Sequence, residues 1–240
     1  MRRGVLALAI AGFVATAGAA LAKPPVVVEL YTAQGCASCG KASAFVASLA
    51  DRKGVLPLTF SVDYWDYLGW KDTFAEPEFT DRQRAYDKRF GLAEVYTPQV
   101  VVDGRFQAPA VKPEAVEALV REARRERMDP PQMRWRDERR VAVGSGRRPR
   151  GGASVWLVRY DPREQDVVVK DGDNRGHTVV ERNVVVQLAR LGAWKGRPVL
   201  LRAPPPPQDG LDSAVLVQDD DGGRIVGVLA PQATPTAKAK

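Results

Sequence analysis

The chain has 240 residues, 36 Lys and Arg against 29 Asp and Glu, a formal net charge of +7 and only two cysteines. That length suits one large or two small domains with a sizeable core. The basic excess is local, with eleven arginines and five acids in residues 121–150; this reads as a solvated joint between domains and argues against a nucleic-acid-binding face.

Met1-Arg2-Arg3 precedes an apolar run from Val5 through Leu21, and Ala20-Leu21-Ala22 places small residues where a signal peptidase reads. The pattern predicts a signal peptide over residues 1–22, cleaved after Ala22, and a periplasmic or secreted protein. No later stretch reaches the ~18 apolar residues of a spanning helix, so no membrane span is expected after cleavage.

Val26–Tyr31 reads as a largely buried strand, followed by a helix from Cys36 to Ala50 with Gly54 just past its end. A second strand is predicted over Leu56–Val62, then an aromatic loop, Asp63-Tyr64-Trp65-Asp66-Tyr67-Leu68-Gly69-Trp70. Pro77 and Thr80 open a second helix that Gly91 ends. Tyr96-Thr97-Pro98 leads into Val100–Val102, Asp103-Gly104 signals a hairpin, and Pro113 starts a third helix stopped by Asp129-Pro130-Pro131. The order β-α-β-α-β-β-α over residues 23–130 is that of a thioredoxin-like α/β domain, a mixed sheet covered by helices on both faces. In that layout Pro98 stands where a cis X-Pro bond faces the active thiols.

After Arg134 the composition becomes β-rich. Seven short strands are expected: Arg140–Val143, Ser154–Tyr160, Asp166–Lys170, Thr178–Leu188, Pro198–Arg202, Ala214–Gln218 and Arg224–Leu229. They predict a small all-β antiparallel, sandwich-like domain over residues 131–230, with a disordered tail at 231–240.

Cys36 and Cys39 carry the chemistry. A C-x-x-C pair between a strand and a helix is a thiol–disulfide arrangement. As a staple it would be weak, because closing four residues stabilises by roughly 2 kcal/mol against about 4.7 for a hundred-residue loop. Cys36, at a helix N-terminus, is the expected exposed nucleophile, and Cys39 the resolving thiol. Lys41 either lowers a thiol pKa or is an exposed helix lysine. Glu29 interrupts the first strand; it either accepts or relays the Cys39 proton, or is an exposed strand-end residue or the partner of a nearby arginine. Trp65, Tyr67 and Trp70, with Thr97, either line a substrate groove beside the thiols or pack as partly buried aromatics. His177, the single histidine, reads as structural. The run Asp171–Gly176 reads as a turn, because Arg175 and Arg182 stand where a calcium loop needs oxygen ligands.

Several segments resemble the exported bacterial proteins of the domain-of-unknown-function 1223 family. They are Val27–Cys39, Tyr64–Asp72, Arg82–Tyr86, Tyr96–Gly104, Arg182–Val185 and Leu191–Trp194. The resemblance implies a thioredoxin-like fold with an added β-domain, and no established activity. The family continues after its second cysteine with two prolines, an alanine and an aspartate; here Gly40, Lys41, Ala42 and Ser43 stand there.

The reading is a thiol–disulfide oxidoreductase acting on protein thiols or disulfides in the periplasm, with no cofactor beyond its own disulfide and no metal. One alternative is a non-enzymatic interaction module built on the β-rich half. Another is a Cu(I)-binding chaperone with both thiolates as soft ligands, although no methionine or histidine lies nearby to complete a site.

Overall fold

The computed structural model describes residues 23–126 and 129–231. The expected signal peptide, and the expected tail after Pro231, lie outside the described residues. The first half contains β1 (Val26–Thr32), α1 (Cys39–Ser48), β2 (Val55–Ser61), α2 (Pro77–Phe90), β3 (Gln99–Val102), β4 (Phe106–Pro109) and α3 (Pro113–Arg125), in the predicted order. Nine strands follow: β5 (Met133–Asp137), β6 (Arg140–Val143), β7 (Ala153–Asp161), β8 (Gln165–Val168), β9 (Thr178–Glu181), β10 (Val184–Trp194), β11 (Val199–Arg202), β12 (Asp212–Asp219) and β13 (Ile225–Leu229). No described helix is long and apolar enough to cross a membrane.

The architecture is mixed α/β. One eight-stranded mixed sheet runs β13-β12-β7-β10-β2-β1-β3-β4, beside a three-stranded antiparallel sheet β11-β6-β5 and the hairpin β8-β9. The strands after residue 131, expected as one sandwich-like unit, are therefore divided. Four extend the sheet of the first half. Three form a second layer packed on those four through Val141, Val143, Val155, Leu157, Trp194, Val215 and Val217.

The junction is at the outer edge of β2. Pro57 has no N–H to donate, and its carbonyl accepts the Asn183 side-chain amide at 2.8 Å. Thr59 then pairs with Val184, its N–H bonding the Asn183 carbonyl at 3.0 Å. Asn183 adopts φ 53° and breaks the expected strand Thr178–Leu188 into β9 and β10. Both halves of that run are β-patterned, so the break leaves no mark in the hydrophobic alternation; asparagine tolerates this left-handed conformation.

Helices cover the two faces of β1, β2 and β3. Alternate residues Val26, Val28 and Leu30 face α1 and α3, through Ala42, Val46, Val116 and Val120. Val27 and Tyr31 face α2, through Phe79 and Tyr86, in a core that continues into Val158, Leu216 and Ile225 of the second half. In a flat sheet the six spacings from β13 to β3 would span about 29 Å. Yet the Ile225 N–H donates to the Asp103 carbonyl at 2.9 Å, so the sheet curls around the core under α2. The approach leaves no room for a side chain at Gly104: a Cβ there would fall 2.3 Å from the Gly223 carbonyl oxygen.

The candidate site around the Cys36–Cys39 disulfide

Cys36 and Cys39 are joined by a disulfide with their Cα atoms 5.4 Å apart. The helix starts later than its sequence predicts. Cys36 lies in the turn before α1, its carbonyl accepting the Cys39 N–H at 3.0 Å, and Cys39 is the first helical residue. Ser38, at the N-cap, makes no capping bond; its hydroxyl instead lies 3.6 Å from the Cys36 sulfur. Cys36 is only 3% exposed and Cys39 fully buried, so the expected exposed nucleophile is covered. Lys41 is exposed on α1.

Three groups cover Cys36. From above comes Thr97, whose peptide bond to Pro98 is cis. The Thr97 hydroxyl donates to Cys36 Sγ at 3.2 Å, and the Trp65 indole N–H donates to the Thr97 oxygen at 2.7 Å. With its acceptor role taken by Trp65, the Thr97 proton is directed at the sulfur. Tyr67 stacks on Trp65 at 6.3 Å and is 77% exposed, the most solvent-facing of these aromatics.

From one side comes Trp70, donating to Gln34 Oε1 at 3.0 Å. Gln34 is itself held by Asp72, which accepts its N–H at 2.7 Å and that of Phe74 at 2.9 Å. Burial pushes Asp72 up to about 6 despite those two donors, and the Asp66 charge adds to the rise. Trp65 and Trp70 are thus tied to the disulfide loop through Thr97 and Gln34, while Tyr67 reaches solvent.

The third group comes from the second half. The Asn174 side-chain amide donates to both the Gln34 and the Cys36 carbonyls at 2.7 Å. It lies in the turn joining β8 to β9, and Gly172 of the same turn approaches the backbone of Leu68 and the side chain of Trp70. His177 sits at the end of this turn, exposed, its carbonyl accepting the Val169 N–H. Sequence reading treats Asp171–Gly176 only as a turn. A bond across 138 residues has no local signature by which Asn174 could be found.

Glu29 lies elsewhere. Its Oε1 accepts Arg82 Nε at 2.7 Å, and its Oε2 accepts the Tyr86 hydroxyl. Arg82 Nη2 continues to Tyr86 and to Gln218 Oε1, each at 3.1 Å. Burial works against the guanidinium charge, but Glu29 and the two tyrosines outweigh it and hold Arg82 well above its ordinary pKa. Of the readings of Glu29, the arginine pair describes its contacts, and the exposed strand end is excluded by its full burial. This network ties α2 to β1 and β12. It also floors a cavity of about 620 Å³ between α2 and the second half, walled by Trp156 and Leu188.

The model of the family described as protein of unknown function (DUF1223) matches residues 27–218. The chain belongs to this family. Among solved structures, this DUF1223 protein is similar to protein AGR_C_4864 from Agrobacterium tumefaciens, at 29% identity and a TM-score of 0.72, over 91% of this chain and 99% of that one. It is also similar to HBP35 of Porphyromonas gingivalis, at 13% identity and a TM-score of 0.56, over 91% and 80% of the two chains; at that identity the likeness is one of fold. No curated protein matches the DUF1223 chain.

Proposed function

We propose that this DUF1223 protein is an exported, thioredoxin-like thiol–disulfide oxidoreductase whose substrates are protein thiols or disulfides. The observation that carries the reading is the Cys36–Cys39 disulfide at the head of α1, with the Thr97 hydroxyl on the Cys36 sulfur. A hydrogen-bond donor and a helix N-terminus both favour negative charge on sulfur, which a leaving or attacking thiolate needs. The element order of the first half and the position of Thr97-Pro98 beside the disulfide support the thioredoxin-like assignment. Export rests on the signal-peptide pattern of residues 1–22.

In the oxidising direction a substrate thiolate attacks Cys36 Sγ, and the Cys36–Cys39 bond breaks with its electron pair on Cys39. A second substrate thiolate then attacks the substrate sulfur of the mixed disulfide and releases Cys36. Two substrate thiols lose two electrons and the protein disulfide gains them. The covered Cys36 implies that Thr97 and Trp65 shift when a protein substrate docks.

The test is the Cys39→Ser protein expressed in its own cell. A partner trapped on Cys36 and released by reductant is expected. No trapped partner, together with a wild-type disulfide that dithiothreitol fails to reduce, would overturn the reading.

A further inference from the structure

The basic stretch of residues 121–150, expected as a solvated joint, supplies one face of a sheet. It contains β5, β6 and the loop after them, and β11 pairs on the far side of β6. Alternation sorts the side chains of this three-stranded layer. Met133, Trp135, Val141, Val143, Val199 and Leu201 turn inward to the second core, and the residues between them turn away from it. The register sets Arg134, Ala142 and Leu200 side by side across the three strands, with Asp137, Arg140 and Arg202 in the next row. Arg136, exposed, is the extra residue of β5 between Trp135 and Asp137.

Two open hollows mark this outer face. One, of about 480 Å³, lies over Ala142, the small residue between Arg134 and Leu200, and reaches Gly144 and Pro198. The other, of about 270 Å³, lies among Asp137, Arg139, Arg140 and Arg202. Arg140 pairs with Asp137, whereas Arg134, Arg136 and Arg202 have no acidic partner among the described residues. Beyond the first hollow, the Gly146 N–H donates to the Gly196 carbonyl at 3.2 Å. That bond joins the segment of the exposed Arg147 and Arg148 to the turn of the exposed Lys195 and Arg197. Over residues 132–148 and 195–202, nine cations stand against two acids, Asp137 and Glu138. This surplus equals the formal net charge of the whole chain, +7, so the protein's excess charge is gathered on this layer and its edge.

The face is held from below. Its inward side chains are anchored in the second core. The Gly144 N–H donates to the Gln132 carbonyl at 2.7 Å, and the Gly144 carbonyl accepts the Trp194 indole N–H at 3.0 Å. A partner therefore meets a preformed surface, and little backbone has to be ordered on binding.

We propose that the outer face of β5, β6 and β11 docks on a phospholipid bilayer that carries anionic headgroups. The chemistry of the face selects this partner. Guanidinium groups present paired N–H donors that match phosphate oxygens. Leu200, 54% exposed, and the exposed Pro198 stand among them. The boundary between headgroups and acyl chains takes up such an aliphatic element, which a purely ionic partner would leave in water. Hollows as open as these fit an extended surface better than one enclosed small molecule. The export proposed above brings the chain to a compartment bounded by such bilayers. The inference goes beyond the exchange reading, does not rest on it, and gives the second layer a role of its own.

The experiment is sedimentation with phospholipid vesicles of the chain from Lys23 onward, the form expected after cleavage, which keeps the apolar run of residues 5–21 out of the measurement. Wild type should pellet with vesicles containing phosphatidylglycerol, stay in the supernatant with pure phosphatidylcholine, and be released by high salt. Each arginine at an anionic surface is expected to contribute about fivefold to partition, so Arg134→Gln combined with Arg202→Gln should weaken it about 25-fold. Arg84→Gln combined with Arg89→Gln removes the same charge from the exposed side of α2 and should change partition by less than about twofold, because separated surface charges are screened. Leu200→Ser, with no change of charge, should weaken partition severalfold. All of these side chains are exposed, so circular dichroism spectra should match wild type. Wild type that does not pellet with phosphatidylglycerol vesicles overturns the proposal. So does an equal loss in the α2 pair, which would reduce the effect to net charge. Salt-sensitive binding to a DNA duplex or an acidic protein, with none to vesicles, overturns it in favour of a different polyanion.

Discussion

Replacing Arg82 by methionine tests the network that joins the two halves. The Arg82 side chain is 5% exposed and that of Glu29 fully buried, with Nε and Oε1 2.7 Å apart. Arg82 also donates to Tyr86 and Gln218 and lies over the rings of Phe60, Tyr86 and Trp156 at 5.3–5.8 Å. Methionine keeps most of the apolar stem and removes the charge, leaving the Glu29 carboxylate with the Tyr86 hydroxyl alone. Breaking a buried pair in this way costs about 3–5 kcal/mol. The double variant Arg82→Met with Glu29→Met removes both charges, so a coupling of about 2–3 kcal/mol should separate it from the sum of the single variants. Urea unfolding followed by circular dichroism measures each value, provided the slope of the transition is unchanged. A loss below about 1 kcal/mol for Arg82→Met, or strictly additive single variants, would refute the reasoning.

Two further predictions concern the site and its buried acids. Thr97→Val removes a donor to the Cys36 sulfur; a hydrogen bond to a charged group contributes about 1.5–3 kcal/mol, so alkylation of Cys36 in the reduced protein at neutral pH should slow by about tenfold or more, while Thr97→Ser keeps the wild-type rate. Asp72 and Asp103, each raised to about 6, and Glu181, raised to about 8, bind protons more tightly folded than unfolded. The stability they contribute is complete below their ordinary carboxylate pKa values and is lost as pH rises through about 6 for the two aspartates and about 8 for Glu181. Melting temperatures should therefore decline from mildly acidic to mildly alkaline pH, and the decline above neutrality should be shallower in Glu181→Gln.

Much of the first half was legible because its signals are local. Alternating and continuous apolar runs mark β1, β2 and β3. Pro77 and Pro113 open helices at their first turn, Gly91 closes α2 with a left-handed φ of 69°, and Asp103-Gly104 makes the β3–β4 turn. The later strands were found with three faults: β5, whose sequence Met-Arg-Trp-Arg-Asp has few apolar residues, the break at Asn183, and the end of β10, which runs to Trp194 rather than Leu188. The start of α1 was placed three residues early, because a turn leading into a helix has the same composition as the helix's first turn.

The sequence alone determined which residues pair as a disulfide, where they stand between strand and helix, and the place of Thr97-Pro98 in the order of elements. Cysteine spacing and the order of elements carry that information along the chain. Tertiary structure decided the rest. It buried Cys36, gave Glu29 to Arg82, brought Asn174 onto the Cys36 carbonyl and set Glu181 against the helix of Cys39. The last two depend on where the second half docks, and long-range packing of that kind leaves no periodicity or spacing to read in the chain.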